Sequence, residues 1–214
     1  VSSVTNQANT AGGFSISTFT GTATGAGSFT HGLGSTPEFY IVKTRNNSDS
    51  WFIYHKDLHG TPEDYAVRFT TAAPQDNSGF WNDTAPTSTH ISLGGGILVN
   101  TWTYVAYAFK SIDGYQKFGS YTGDGSAGQS ITTGFRPGFV LLKSTVGTDN
   151  WRLYDTTRGL SDGGYLEPNT SDADNTGNAP ALTMTDTGFE IAAGGVSNGD
   201  NASGNAYVYW AIAN

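Results

Sequence analysis

Cysteine is absent from the 214 residues, which removes disulfide staples, thiolate catalysis and cysteine-type zinc sites together. Charge is scarce as well, at 13% of residues, about half the usual share. Ten Lys and Arg face eighteen Asp and Glu, for a net charge of −8. That balance argues against nucleic acid and anionic membrane surfaces as partners, since both are met with clustered cations. No apolar run approaches the ~18 residues that a spanning helix needs, so membrane insertion is not expected. Val1 is not preceded by a basic n-region, and no signal peptide is expected within the sequence. Helix formers are thin too: one Met and four Glu leave little with which to build helical faces.

Glycine, threonine, serine and asparagine fill the gap. Thr suits strands, while Gly and Asn suit tight turns. Aromatics reach 13%, enough large apolar surface for a core and too much for a disordered linker. The expectation is a folded all-β protein.

The chain matches itself. Glu38-Phe39-Tyr40-Ile41-Val42-Lys43 and Gly138-Phe139-Val140-Leu141-Leu142-Lys143 both follow a proline and both end an apolar strand in lysine. At the same offset of 100, Asp49 meets Asp149, Trp51 meets Trp151 and Tyr54 meets Tyr154. The offset is 102 upstream, where Phe19-Thr20-Gly21 matches Tyr121-Thr122-Gly123, and 103 downstream, where Tyr104-Val105 matches Tyr207-Val208. Small slips at Gly-rich loops are the mark of a duplicated unit of about 100 residues. Residues 1–13, polar and without period, read as a connecting segment; 14–112 and 113–214 read as the two repeats. Asp113-Gly114 reads as a type I′ hairpin joining them into one compact body of pseudo-twofold character. Strands are expected at 14–20, 38–45, 51–55, 65–70, 89–93, 102–110, 115–121, 138–144, 151–155, 182–185, 188–192 and 206–213. Apolar residues on both faces of 102–110 and 138–144 suggest central strands of an antiparallel β-sandwich.

Several stretches together resemble a duplicated domain of unknown function found in bacteriophage tail-fibre and other virion proteins. They are Gly32-Leu33-Gly34 with Pro37–Lys43, Trp81-Asn82-Asp83-Thr84 with Pro86-Thr87-Ser88, Tyr104–Tyr107, Gly114–Gly123, and Thr133–Pro137. The resemblance implies a lectin-like or concanavalin-like (jelly-roll) sandwich on the surface of a phage particle, near its host-binding end. It implies no catalytic residues. Gly159–Asn178 in the second half departs from the pattern of the first.

Glycosidase chemistry needs two carboxylates aimed at one glycosidic bond, and Glu38, Glu63, Glu167 and Glu190 form no such pattern. No Ser-His-Asp order stands out, so no enzyme is expected. His55 and His59 flank a strand end and read as surface histidines before they read as a metal clasp. Asp172-Ala173-Asp174-Asn175-Thr176-Gly177 spaces oxygen ligands as a calcium loop begins, with Asp172, Asp174 and Thr176 as ligands. Thr183 stands where such a loop expects glutamate, however, and a solvated polar loop is the other reading. Calcium is thus the one cofactor suggested, and none is required. Trp51 with Trp151, and Trp102 with Trp210, read as core framework. Trp81 sits in a loop beside Asn82 and Asp83, the setting in which an indole stacks on a sugar while amide and carboxylate groups hold its hydroxyls; plugging the end of the sandwich is the alternative. Asp124, in a Gly-rich loop, is a further ligand-binding candidate. The expected function is that of a virion-surface domain, extracellular, binding a host-surface glycan through end loops. The rival reading is a structural decoration, spacer or oligomerisation module that meets other virion proteins, a homotrimer in a fibre.

Overall fold

The computed structural model describes residues 1–22, 25–158, 164–174, 181–193 and 199–214. The chain is all-β and divides into two compact units, Val1–Phe69 with Pro74–Ser111, and Thr70–Ala73 with Ile112–Asn214.

In the first unit, antiparallel strands β1 (Ser2–Asn9), β2 (Phe14–Thr20), β4 (Phe39–Thr44), β5 (Phe52–His55), β6 (Tyr65–Arg68), β7 (Gln75–Asp76) and β9 (Thr103–Phe109) form one sheet. Its spatial order is β1-β2-β9-β4-β5-β6-β7, and β3 (Gly27–Thr30) pairs with β8 (His90–Leu93) as a separate ribbon. The alternation of Phe14–Thr20, polar and β-branched residues between aromatics, places every second side chain inside. Phe29, Ile91 and Leu93 of the ribbon and Tyr40, Val42 and Tyr104 of the sheet share one buried cluster, a sandwich-like arrangement.

In the second unit β10 (Gln116–Thr122), β12 (Pro137–Ser144), β13 (Arg152–Asp155) and β16 (Ala206–Ala213) order as β10-β16-β12-β13. A second sheet has the order β11 (Gln129–Thr132), β15 (Gly188–Ile191), β14 (Leu182–Thr185). Val140, Tyr207 and Tyr209 from the first sheet pack with Phe189, Ile191 and Leu182 from the other.

Two expectations are corrected. Residues 1–13 are not merely a connection, because Ser2–Asn9 is strand β1, paired along β2 from Thr5↔Thr18 to Asn9↔Phe14. All eight of its residues are exposed, so neither face is selected for apolar side chains and the alternation that betrays a strand never arises. The Asp113-Gly114 turn closes locally, with Ile112 bridging Gln116, but β9 and β10 lie in different sheets. Only Gly114 takes a positive φ, 72°, as the third residue of a type II turn does; type I′ would demand it of Asp113 as well. Strands β3 and β11, four residues each, were also outside the strands expected from alternation.

Gly21 and Gly123 have the same steric task. A Cβ on Gly21 would collide with the Val99 carbonyl oxygen, and one on Gly123 with that of Ala202. The tyrosines beyond fasten these crossings: Tyr104 Oη donates to Ile97 O at 2.7 Å and accepts from Val99 N–H at 2.9 Å. Tyr207 Oη likewise donates to Gly199 O and accepts from Ala202 N–H.

Lysine closes each β4–β5 type of connection. Lys43 Nζ donates to Asp49 O, and Lys143 Nζ to Asp149 O, both at 2.7 Å. Lys143 is wholly buried and also donates to Thr71 O at 3.3 Å. Desolvation by burial pulls its ammonium down to about 8. A depressed lysine pKa burdens the folded state at neutral pH, because the unfolded chain holds the same proton without cost. Stability is therefore expected to rise by about 1–2 kcal/mol between pH 8 and 9.5 as the folded protein alone releases that proton. Above pH 10 the trend reverses, since buried Tyr40 and Tyr154 and half-buried Tyr121 have raised pKa values. Urea denaturation of wild type and Lys143→Met across this range checks the assignment: the rise should vanish in the variant.

Candidate functional site

The loop of Trp81 is built by backbone strain. Asn82 and Asp83 hold φ of 56° and 45°, a conformation that their short polar side chains tolerate better than most. Asn82 N–H donates to Ser78 O at 3.0 Å and Thr84 N–H to Trp81 O at 3.3 Å. This tight curl turns the indole inward. Trp81 has no exposed surface, lies edge-on to Tyr40 at 4.8 Å and Tyr54 at 6.3 Å, and donates from Nε1 to Tyr65 O at 2.7 Å. An enclosed ring has no face to offer a sugar, so the sugar-stacking expectation for Trp81 is corrected: this ring plugs the core. Asn82 and Asp83 remain exposed on its outer side.

Asp124 is exposed, but its oxygen Oδ1 accepts from Ser126 N–H at 2.7 Å and from the buried Asn201 Nδ2 at 3.0 Å. Asn201 Oδ1 in turn accepts from Asp124 N–H at 2.9 Å. The carboxylate organises its own turn. Of the suggested calcium ligands, Asp174 pairs with Arg158 Nη1 at 3.1 Å, Asp172 N–H donates to Thr170 Oγ1 at 3.1 Å, and Thr176 lies outside the described residues. Among the described residues no three His, Cys, Asp or Glu cluster as a metal site would require. His55 is buried, with Nδ1 accepting from Asp57 N–H at 3.1 Å, whereas His59 is exposed and lies 4.0 Å from the Tyr65 ring.

Two features escape the linear reading. The first is a buried ion pair in the second unit. Arg152 Nη1 pairs with Asp200 Oδ1, Tyr154 Oη donates to Asp200 Oδ2, and Tyr121 Oη donates to Asp200 O at 2.6 Å. The guanidinium lies 5.4 Å over the Tyr165 ring and 3.9 Å from Glu167. Burial pushes the Asp200 carboxyl up, with Arg152 and the Tyr154 hydroxyl opposing. Both carboxylate oxygens are engaged by protein donors, which makes the group a fastening for the 199–202 turn. In the first unit the positions of Arg152 and Tyr121 hold Phe52 and Phe19, both buried in the apolar cluster.

The second feature is Trp51. Its partner by sequence, Trp151, is 3% exposed, whereas Trp51 is 40% exposed. It sits at the end of the β4–β5 loop with the Phe69 ring edge-on at 6.4 Å. Exposed residues Arg45–Ser48 flank it along the chain. An exposed indole braced by a second ring, beside polar loop groups, has the chemistry to hold the apolar face of a sugar. The reading of Trp51 as core framework is thereby corrected. The legible clue was Gly159–Asn178, which has no counterpart in the first half, so the surroundings of the two tryptophans had to differ.

Deleting Asp200 should cost about 3–5 kcal/mol, because Arg152 and the Tyr154 hydroxyl lose their shared partner and Glu167, 3.9 Å from the guanidinium, replaces neither bond. Replacing both partners, Arg152→Met with Asp200→Leu, should cost far less. Chemical denaturation of the single and double variants makes the comparison, and equal losses would refute the fastening role. Trp81→Ala should cost about 3–5 kcal/mol through its cavity.

No curated protein and no solved structure matches the chain. Across residues 1–214 the sequence matches the family described as a domain of unknown function, DUF7483, and the chain belongs to that family.

Proposed function

We propose that this chain is a non-catalytic, glycan-binding module of a bacteriophage virion, a surface or tail-fibre type of domain that meets host-surface glycans outside the cell. The exposed Trp51, braced by Phe69 in a protein that otherwise encloses most of its large aromatics, is the observation that carries the reading. The virion setting rests on the sequence resemblance. Its architecture is a lectin-like sandwich, of jelly-roll or concanavalin type, made of two diverged tandem copies. Support for duplication comes from the shared register of β4–β5 and β12–β13, in which Tyr40↔Tyr54 corresponds to Val140↔Tyr154. The paired lysine bonds and the Gly21 and Gly123 crossings point the same way. A non-catalytic role is supported by the engagement of Glu38 with Lys56 and Ser111 and of Glu167 with Asn150, bonds that hold these carboxylates in the framework.

A structural role, as spacer or homo-oligomer in contact with other virion proteins, is favoured by one observation. β1 ends its sheet, and its eight exposed residues carry no charge, whereas natural edge strands are commonly guarded by charges.

A glycan array probed with the whole chain, in calcium and in EDTA, tests the first reading. Specific binding that persists in EDTA and weakens at least tenfold in Trp51→Ala is expected, a loss of about 1.4 kcal/mol. The variant's melting temperature should stay within a few degrees of wild type, because the side chain is surface-placed. A folded protein that binds no glycan overturns the reading. Concentration-dependent association in sedimentation, abolished by Gln7→Lys, is the outcome expected of the structural role.

A further inference from the structure

The two units differ in how they satisfy one matched backbone donor. β4 with β5 and β12 with β13 pair in the same register, from Phe39↔His55 to Val42↔Phe52 and from Phe139↔Asp155 to Leu142↔Arg152. Each loop between them is closed by the lysine bond to the carbonyl of residue 49 or 149. Trp51 and Trp151 therefore occupy the same place, immediately before the strand begins. In the second unit the Trp151 N–H is capped by a side-chain carboxamide: it donates to Asn169 Oδ1 at 2.8 Å. Asn169 Nδ2 donates onward to Asn150 Oδ1 at 2.6 Å, and Asn150 Nδ2 to Glu167 Oε2 at 2.7 Å.

In the first unit no described residue accepts from the Trp51 N–H. The chain that returns along β5 brings Phe69 opposite Trp51 instead of an asparagine. Three features thus meet at this corner: a main-chain donor with no acceptor among the described residues, the Phe69 ring 6.4 Å from the indole, and the indole itself, 40% exposed. The corresponding donor in the second unit is satisfied by an amide oxygen, which identifies the type of acceptor this geometry takes. An apolar wall next to that oxygen suits a methyl group. An acetamido substituent has both parts on one carbon.

We infer that the Trp51–Phe69 corner receives the acetamido group of an N-acetylated hexosamine, its carbonyl accepting from the Trp51 N–H and its methyl against Phe69, with the hexose ring over the Trp51 indole. The inference rests on the glycan-binding reading and narrows it to a class of sugar. It also assigns binding to the first unit alone, because Asn169 fills the matched position of the second.

The test is a titration of the whole chain, followed by nuclear magnetic resonance shifts and indole fluorescence, with four methyl glycosides: N-acetylglucosamine, N-acetylgalactosamine, glucose and galactose. At least one N-acetylated sugar should bind tenfold or more tightly than its parent hexose, as one hydrogen bond and one buried methyl together warrant. Trp51→Ala should abolish that binding, and Phe69→Ser should reduce the preference for the acetylated sugar. Trp51-dependent binding with no such preference overturns the acetamido assignment and leaves the glycan reading standing. Binding of the N-acetylated sugar unchanged in Trp51→Ala overturns the location. An array without any bound glycan removes the reading under both.

Discussion

The bond from a lysine ammonium to a loop carbonyl, Lys43 to Asp49 O and Lys143 to Asp149 O, governs what the two units present. Each lysine stands at the end of the strand entering the loop, and its bond draws the loop's far end back onto that strand. The residue two positions later, Trp51 or Trp151, is thereby delivered to the start of the next strand with a defined orientation of its N–H. Burial makes this bond stronger and more demanding together. A desolvated ammonium needs acceptors, and the second carbonyl, Thr71 O, gives Lys143 another.

Around this shared framework the two units are filled by different chemistry. The first is apolar where the second is polar: Phe19 and Phe52 against Tyr121 and Arg152. An aromatic cluster tolerates this exchange only if every polar group brought in finds a partner. Asp200 does so through Arg152 and Tyr154. The same polar turn in composition supplies Asn150, Glu167 and Asn169, which tie the 167–170 segment beside Trp151. The first unit, furnished with Phe69 and Trp81 in place of these amides, encloses Trp81, half-buries Trp102 and leaves Trp51 open. One scaffold thus has one closed corner and one open corner.

Much of the fold is legible in the sequence, for reasons of periodicity. Strands with one face inward must alternate, and Phe14–Thr20 and Thr103–Phe109 do. The matched Lys43 and Lys143, or Gly21 and Gly123, are visible because bonds and close crossings need one residue type at one spacing. β1 was not legible: it owes its existence to pairing with β2, and with both faces in solvent it carries no pattern. The indole expected to reach solvent, Trp81, is enclosed, and the exposed one is Trp51. A loop indole among Asn, Asp and Thr looks like a sugar platform, and two consecutive positive φ angles at Asn82 and Asp83 are what turn it inward.

What the sequence determines by itself here is the all-β class, the longer alternating strands, and the pairs of residues that must perform equal tasks, because these follow from local periodicity and from self-matching. Which tryptophan faces solvent was decided only by tertiary structure. Trp51 and Trp151 share their sequence setting, and their exposure, 40% and 3%, depends on segments that return from elsewhere in the chain. Phe69 arrives beside one and Asn169 beside the other. Burial is a property of neighbours, and neighbours distant along the chain are set by packing.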